Sequence, residues 1–303
     1  MNYRKLLFLL AAPVLILSSC SKNIQEQINY EDFINQDDYR LMQVAYYTET
    51  QDGKSLAVRF YESPRIFDLR KDLSQFDEIK KQLDISKDEK TPVQVYASDN
   101  IVSTVRKASE NDMRIFAEWH QPVIETRSTL DSTINSIDEL MSIWDFIVKQ
   151  SCDSPTVSID QCISFQYVVD GCYARAHKMK QILEDNYGYA LEKCFSFEDA
   201  SGYLAVDAGD CCVYWWYHVA PYVKVQTPKG ILSCVLDPSM FNKPVTKEKW
   251  FKFQENTYCS PGAKWGYYEI QPSSWYGPGG STDPYYTWTN YTLNAYSDLV
   301  TCP

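Results

Sequence analysis

The sequence predicts an α+β protein built in two parts, and three observations support this fold class. Alternating apolar residues, typical of strands, occur beside apolar spacings typical of helices. Every cysteine except Cys20 lies after residue 150. A polar segment, residues 121–133, separates the cysteine-free part from the rest. We therefore expect a small N-terminal α+β domain with its linker over 21–131 and a second domain over 132–303.

The composition is that of a soluble acidic protein. The chain has 303 residues, of which 45% are hydrophobic, so it is long and apolar enough to bury a sizeable core. Its formal net charge of -11 argues against nucleic acid as a partner. The 23 tyrosines favour β-rich structure.

The first twenty residues have the pattern of an export signal. Arg4 and Lys5 precede the apolar run LLFLLAAPVLIL, which is shorter than a typical membrane-spanning helix. The run ends in LSSC, which resembles a bacterial lipobox with Cys20 as the lipidated residue. The alternative is an ordinary signal peptide with a chance cysteine. We expect an exported lipoprotein of the bacterial cell envelope, on the periplasmic face or the cell surface or released, that contacts the membrane only through its lipid.

The N-terminal part contains a hairpin signal, a helix pattern and a further strand. Asp52-Gly53 lies at a turn between the strand-like runs LMQVAYYTE and SLAVRFYE. Residues 67–83 have the spacing of an amphipathic helix, and TPVQVYA (91–97) is strand-like.

The C-terminal part begins with a helix and continues with strands. The apolar spacing predicts a buried helix within 134–150, and CISFQY (162–167) predicts a short strand. Two more strand-like runs follow at 211–225 and 230–241. The last fifty residues, rich in Gly, Pro, Tyr and Trp, show no clear periodicity.

The stretch VVDGCYARAHKMKQIL (168–183) places a thiol at the start of a predicted helix. Asp170 is the expected N-cap, and Gly188 is the expected end of the helix. The free N–H groups and the dipole at a helix N-terminus stabilise a thiolate, so Cys172 is a candidate nucleophile. The amide of Cys172 is one candidate oxyanion donor. The alternative is a structural disulfide cysteine.

A cysteine nucleophile needs a base, and the chain has three histidines. His120 lies in the N-terminal part or the linker. His177 follows Cys172 by five residues on the same helix, which turns it about 140° away. It is therefore expected to be a packing or hydrogen-bonded structural residue. His218, in the strand-like run VYWWYHVAPYV, remains as the candidate base.

A carboxylate that orients the base is expected on the next strand, in VLDPS. If Pro228 and Lys229 form a two-residue loop, Asp237 lies on the same face as His218, one diagonal step away. A three-residue loop would reverse this parity. The alternative is that Asp237 is only a turn residue before Pro238.

Export leaves nine cysteines other than Cys20 in an oxidising compartment, and this odd number is consistent with one free thiol. With Cys172 set aside as well, at most four disulfides can form. We expect Cys152 to bond with Cys162, since they flank a short loop. Cys194 is expected to pair with Cys211 or Cys212, because adjacent cysteines rarely bridge each other. The remaining disulfide candidates have no assigned partners: Cys234, Cys259 and Cys302.

These motifs together resemble the bacterial protein-glutaminases, from about residue 134 to about 260, and we expect the likeness to continue to the end of the chain. The likeness rests on ISFQYVVDGCYARAHKMKQIL, on the Cys211-Cys212 pair followed by WWYHVA, and on LDPSMF; it includes Cys152 in KQSC and Cys162 before ISF. It implies a papain/transglutaminase-like core, with the nucleophile helix packed on an antiparallel sheet. The family's Cys-His-Asp triad then falls on Cys172, His218 and Asp237.

The resemblance implies a protein-glutamine deamidase that acts through a thioester and releases ammonia. Its partners would be glutamine-containing proteins or peptides, and we expect a monomer with no cofactor and no metal. No paired cysteine-histidine spacing indicates a zinc site. Three alternatives remain open: a transglutaminase, a cysteine peptidase, and a non-catalytic peptide-binding lipoprotein.

The resemblance also implies that the N-terminal domain is a pro-region. We expect an extended segment of this domain to lie over Cys172 and His218, with TPVQVYASDN (91–100) as the candidate because Gln94 could mimic a substrate. The competing interpretation is a permanent partner-binding or stalk domain.

Overall fold

Three β-sheets and six helices make up the part of the chain that the computed structural model describes, residues 39–120, 130–200 and 202–302. The described residues all belong to one compact unit. The expected lipidation site Cys20 and the apolar run before it lie outside the described residues. No helix of the described part is long and apolar enough to cross a membrane.

The N-terminal domain, residues 39–120, is a six-stranded sheet with two helices. Its strands are β1 (Tyr39–Met42), β2 (Val44–Glu49), β3 (Ser55–Phe60), β4 (Ser63–Arg70), β5 (Val93–Ser98) and β6 (Ile101–Lys107). Its helices are α1 (Phe76–Glu89) and α2 (Glu110–Trp119). The strand order is β1-β5-β6-β4-β3-β2.

Local sequence explains most of these elements. Gly53 has φ 70° in the turn between β2 and β3, so the predicted hairpin is confirmed. Ile79 and Leu83 of α1 pack in one core with the apolar side chains of the sheet. The helix predicted from residue 67 begins only at Phe76, because residues 67–70 belong to β4.

The C-terminal domain, residues 130–302, carries the other seven strands and four helices. Its strands are β7 (Thr133–Ile134), β8 (Glu192–Glu198), β9 (Leu204–Asp207), β10 (Cys212–Trp215), β11 (Tyr217–Thr227), β12 (Gly230–Val235) and β13 (Trp265–Pro272). Its helices are α3 (Ile137–Val148), α4 (Cys172–Tyr187), α5 (Lys247–Phe253) and α6 (Thr287–Ala295). Antiparallel strands in the order β12-β11-β8-β13 form the main sheet, β7 adds in parallel to β11, and β9 and β10 pair separately.

Helix α4 packs against β11 and is covered by α6 on another side. Ten of its 16 residues are buried, so this helix lies inside the domain rather than on its surface. It ends, as predicted, at Gly188, which adopts φ 71° and caps the last turn.

The strand prediction for 211–225 is confirmed with one division, and the strand prediction for 162–167 is wrong. The run 211–225 is two strands, β10 and β11, that break at Trp216 and join different sheets. Residues 162–167 form no strand, only a single bridge between Ile163 and Ser151. The last fifty residues are more regular than their composition indicates, since they contain β13 and α6.

The described residues contain three disulfides and three free cysteines. The bonds are Cys152–Cys162, Cys211–Cys302 and Cys212–Cys259, and the free thiols are Cys172, Cys194 and Cys234. The Cys152–Cys162 bond is the expected one. The expected bond from Cys194 to one of the adjacent cysteines is wrong, and the candidate Cys234 forms no disulfide.

The two free thiols other than Cys172 cannot bond with each other, because the sheet separates them. Cys194 lies opposite Ala220 on β11, and Cys234 lies opposite Val223 on the same strand. Positions 220 and 223 point to opposite faces of the sheet. Each of these cysteines therefore serves as a buried apolar side chain.

Candidate active site

Cys172 is the first residue of α4, and Gly171 is its N-cap, with φ 78°. The prediction that Asp170 caps this helix is wrong, because the left-handed turn at Gly171 leaves Asp170 outside the first turn. Its Oδ1 accepts a hydrogen bond from the Gly171 N–H at 2.7 Å. A Cβ at position 171 would lie 2.9 Å from the ring of Tyr296, so both the backbone angle and the close approach require glycine.

The thiol of Cys172 is buried, and burial raises its pKa to about 12. The positive charge of Arg175 and a hydrogen bond from the Val219 N–H act in the opposite direction. Burial outweighs both, so Cys172 is a neutral thiol at this buried position. The thiolate expected from the helix N-terminus is therefore disfavoured while the thiol is buried.

His218 and Asp237 form a buried pair beside this thiol. Nε2 of His218 lies 2.8 Å from Oδ2 of Asp237. Burial alone would raise the pKa of Asp237, but the charge and hydrogen bond of His218 outweigh it and hold this pKa below its ordinary value, with hydrogen bonds from Ser239 and Trp250 adding to the effect. Nδ1 of His218 is buried and has no hydrogen-bond partner among the described residues.

The tautomer of His218 follows from these contacts. When Nε2–H donates to Asp237, Nδ1 carries the lone pair and can accept a proton. Helix α4, which begins at Cys172, packs against β11, the strand that carries His218. A thiol, an imidazole with a free nitrogen and an orienting carboxylate thus lie in one buried site.

The strand register explains how Asp237 reaches His218. Thr227 pairs with Gly230, so the connection between β11 and β12 is the two-residue loop on which the prediction depended. The antiparallel pattern continues beyond β12, since the Leu236 N–H donates to the Pro221 carbonyl at 3.0 Å. Asp237 follows immediately, on the same side as His218.

Sequence reasoning assigned no role to the aromatic residues around this pair. Trp215 stacks on His218 with ring centroids 4.6 Å apart, and its Nε1 donates to the carbonyls of Val168 and Val169. Trp250 donates its Nε1 to Oδ2 of Asp237 at 2.9 Å. Trp215 belongs to the quoted motif and could have been singled out there, whereas nothing in the local sequence marks Trp250.

The other two histidines lie away from the thiol, as expected. His177 is buried, with Nδ1 2.7 Å from the Nζ of Lys193 and Nε2 3.0 Å from the Asp283 carbonyl. These contacts give it the structural role that its helix position indicates. His120 caps the end of α2 and stacks on Phe116 in the N-terminal domain.

The turn between β3 and β4, with the residues that flank it, contacts the segment directly before His218, and we call residues 60–65 the β3–β4 hairpin. The carbonyl of Ser63 accepts from Nε1 of Trp216 at 2.7 Å, and the carbonyl of Pro64 accepts from the Trp216 N–H at 3.0 Å. The carbonyl of Tyr61 lies 3.4 Å from the hydroxyl of Tyr217. These donors lie directly before His218 in the chain, so the hairpin lies against the strand that carries the base.

Two arginines of the N-terminal domain form further ion pairs with the C-terminal domain. Arg40 forms an ion pair with Asp170 at 2.7 Å, and Arg59 forms one with Glu198 at 2.7 Å. The prediction that 91–100 covers the site is wrong: Gln94 lies on β5, between β1 and β6, and its amide donates to Asp112 of the same domain. The central position of β5 leaves no free edge for it to extend into the site.

Cysteine, histidine and aspartate in this arrangement can carry out acyl transfer, in which the sulfur attacks a carbonyl carbon and the imidazole moves the protons. Among the described residues, no group of three or more His, Cys, Asp or Glu side chains could hold a metal ion.

Comparisons with known proteins identify the family. A family profile described as Glutaminase matches residues 140–254. A crystal structure of pro-protein-glutaminase is 30% identical, with a TM-score of 0.76, over 88% of this chain and 95% of that chain. A mutant of pro-protein-glutaminase is 31% identical, with a TM-score of 0.77, over the same shares of the two chains. The chain belongs to the protein-glutaminase family.

A shorter relative matches only part of the chain. The NMR structure of protein-glutaminase from Chryseobacterium proteolyticum is 40% identical, with a TM-score of 0.51, over 57% of this chain and 93% of that chain. A search of curated proteins found no match. The fold is therefore that of the protein-glutaminase family: an α+β pro-domain followed by the catalytic core.

Proposed function

We propose that this protein hydrolyses the side-chain amide of glutamine in proteins to glutamate and ammonia, with Cys172, His218 and Asp237 as its catalytic triad. The observation that carries the proposal is the buried His218–Asp237 pair, 2.8 Å apart, beside the free thiol at the start of α4. Membership in the protein-glutaminase family supports the choice of substrate.

The proposed reaction begins with proton transfer from Cys172 to Nδ1 of His218. The sulfur attacks the γ-carboxamide carbon of a glutamine, and the imidazolium then gives its proton to the leaving ammonia. Water, activated by the same imidazole, attacks the thioester, which releases glutamate and restores the thiol. Asp237 keeps the ring of His218 in the required tautomer and stabilises its charged form.

The test is ammonia release from a glutamine-rich protein by the full chain after proteolytic cleavage within 121–131. Cys172→Ala should abolish the release, and His218→Ala should reduce it nearly as much. Asp237→Asn should leave a folded enzyme slower by roughly a thousandfold or more. His177→Gln is the matched control, a second buried histidine outside the site, and should retain activity.

The products separate the alternatives. Ammonia release without chain cleavage or crosslinking supports a deamidase. Crosslinked products would indicate a transglutaminase, and new peptide ends would indicate a peptidase. Binding of peptide without any turnover would indicate the non-catalytic lipoprotein. Activity that survives in Cys172→Ala would contradict the assignment of the nucleophile.

We also propose that residues 21–131 form a pro-region that restrains the enzyme until it is cleaved. The support is the β3–β4 hairpin, whose carbonyls accept hydrogen bonds from Trp216 and Tyr217, and the burial of Cys172 in the full chain. Full-length protein should be much slower on a large substrate than protein cleaved within 121–131 or a chain that begins at Ser132. Equal rates for all three would leave the stalk interpretation instead.

Export and lipidation complete the proposal. Three disulfides among the described residues support an oxidising compartment. The lipobox-like LSSC supports acylation of Cys20 and attachment to the cell envelope, with the enzyme acting as a monomer. Mass spectrometry of the N-terminal peptide should find a lipid on Cys20, and Cys20→Ser should release the protein from the membrane fraction.

A further inference from the structure

Glu198 is a buried carboxylate of the C-terminal domain whose side-chain partners come from the N-terminal domain. Its Oε1 accepts hydrogen bonds from Nε of Arg59 at 2.7 Å and from the hydroxyl of Tyr46. Its Oε2 is buried and has no hydrogen-bond partner among the described residues. The side chain is only 2% exposed. When the N-terminal domain leaves, this carboxylate loses its only described partners and faces the space that they occupied.

The position of Glu198 places it beside the proposed active site. It ends β8, and its N–H donates to the Trp216 carbonyl at 2.9 Å. The indole and N–H of that same Trp216 hold the β3–β4 hairpin, and His218 follows two residues later. Glu198 therefore borders the surface on which the hairpin lies, and on which a substrate would lie after the hairpin is removed.

A cation occupies this position in the covered form. The Arg59 guanidinium pairs with the carboxylate and lies over the ring of Tyr46, with 5.1 Å to the ring centroid. Arg59 precedes Tyr61, whose carbonyl contacts Tyr217, by two positions in the chain. Arg59 thus belongs to the segment of the N-terminal domain that lies along β11, the strand that carries His218.

We propose that Glu198 is a specificity subsite that selects substrates with a positively charged side chain, arginine above all, close in sequence to the target glutamine. The carboxylate is fixed on the central sheet, between β11 and β13, so it is preorganised to accept a guanidinium. In the uncleaved chain, Arg59 binds Glu198 at the position where the cation of a substrate would bind after the N-terminal domain is removed. This inference rests on the proposed glutamine deamidation and adds the sequence context of the glutamine.

The competing explanation is that Glu198 serves only to dock the N-terminal domain. Docking and substrate selection predict different results once that domain has been cleaved off. A docking residue changes how tightly the cleaved domain rebinds, but it leaves the choice between two small substrates unaltered. A subsite residue changes that choice.

The experiment uses internal competition with the full chain cleaved within 121–131. Peptide pairs share one sequence with a single glutamine, and one member carries arginine where the other carries citrulline, its neutral isostere. The arginine is scanned one position at a time on both sides of the glutamine. Because both peptides compete for the same enzyme in one tube, the ratio of their deamidation rates does not depend on the active fraction or on residual bound N-terminal domain.

At the best position, we expect the arginine peptide to be deamidated about fivefold to tenfold faster than the citrulline peptide. This range is typical of a charge-assisted hydrogen-bonded pair at a site that is partly exposed to water, as Glu198 would be once the N-terminal domain is removed. Roughly 1 M salt should reduce the preference, because it screens the attraction. Glu198→Gln should bring the ratio close to one. Glu192→Gln is the matched control, since Glu192 lies at the other end of β8 in an exposed pair with Lys224, and it should retain the preference.

Each outcome decides one of the two proposals. A ratio near one in the wild-type enzyme, or a preference that Glu198→Gln leaves intact, overturns the subsite. Loss of the preference in both glutamate variants overturns it as well. Failure of the wild-type enzyme to release more ammonia than Cys172→Ala from either peptide would instead overturn the proposed deamidation.

Discussion

The indole of Trp215 lies parallel to the imidazole of His218, with 12° between the ring planes, while its Nε1 donates to the carbonyls of Val168 and Val169. One buried side chain therefore contacts both the proposed base and the loop that leads to Cys172. Trp215 is a positioning residue, since it acts on the reaction through these two groups.

We expect Trp215→Phe to lower kcat by roughly tenfold with little change in KM. The smaller ring can still contact His218 but leaves the two loop carbonyls without their donor, which should also cost about 1–3 kcal/mol of stability. Steady-state kinetics and thermal unfolding test both effects. Trp144→Phe is the control, because Trp144 is a buried tryptophan of α3 and is not a ring partner of His218. An equal fall of kcat in both variants would argue against a positioning role.

Removal of the N-terminal domain should make Cys172 reactive at neutral pH. Burial is the main cause that raises the pKa of this thiol to about 12, so exposure to water should lower the pKa and increase the thiolate fraction. Alkylation by iodoacetamide at neutral pH should be at least roughly tenfold faster after cleavage within 121–131. Cys194 and Cys234 are buried inside the sheet and serve as internal controls that stay unmodified. Unchanged alkylation of Cys172 would show that the covering domain is not what suppresses it.

Docking of the N-terminal domain should weaken as the pH rises, because of Glu62. Burial raises the pKa of this glutamate to about 8, against hydrogen bonds from backbone N–H groups including that of Gln43. Below about pH 8 the side chain is mostly neutral in the docked form. Glu62 directly precedes Ser63 and Pro64, which contact Trp216 of the other domain, so we expect undocking to expose it. An exposed glutamate ionises above its ordinary pKa of 4.5. Docking is therefore strongest below pH 4.5 and is penalised progressively between pH 4.5 and about 8.

Glu62→Gln should remove this pH dependence and strengthen docking at neutral pH by roughly tenfold or more. The dissociation constant of the cleaved N-terminal domain, measured between pH 5 and 8, is the test. His120 also titrates near this site: its Nε2 lies 3.6 Å from Oε1 of Glu62, and burial lowers the pKa of His120. His120→Gln therefore separates the contribution of His120 to the pH dependence from that of Glu62. A steep pH dependence that persists in Glu62→Gln would assign the effect to another group.

The Cys152–Cys162 bond should stabilise the catalytic core measurably. It closes a loop with a sequence separation of 10 residues, and such a loop is worth about 2–4 kcal/mol. Replacing both cysteines with alanine should lower the unfolding free energy by that amount in denaturant titrations. Cys234→Ala removes a buried thiol that forms no disulfide and should cost less. A cost for the double variant no larger than that of Cys234→Ala would contradict the prediction.

The local arrangement of the site could be predicted because it depends on short-range rules. The two-residue loop between β11 and β12 sets the register that brings Asp237 to His218, and Gly188 ends the nucleophile helix where a left-handed residue is needed. Asp170 could not be placed in the same way. Its side chain pairs with Arg40, 130 positions away, a partner that no local pattern indicates.

Long-range contacts also explain the other errors. The partners of Cys211 and Cys212 depend on how the C-terminal segment folds back onto the domain. The two disulfides join residues that are 91 and 47 positions apart, respectively. The choice of the covering segment depended on the topology of the first sheet. β5 occupies a central position there, while the turn between β3 and β4 projects from the sheet and reaches Trp216.

The ion pairs Arg40–Asp170 and Arg59–Glu198 join two parts of a single chain, so their strength depends on covalent connection. Within one chain, docking occurs at an effective concentration on the order of millimolar. A single cut within 121–131 turns the same contacts into an association between two molecules. The fraction of enzyme molecules in which these contacts are formed then depends on the concentrations of the two cleaved parts. Cleavage and dilution together would switch the enzyme on, and the dissociation constant of these contacts defines the concentration below which it becomes active.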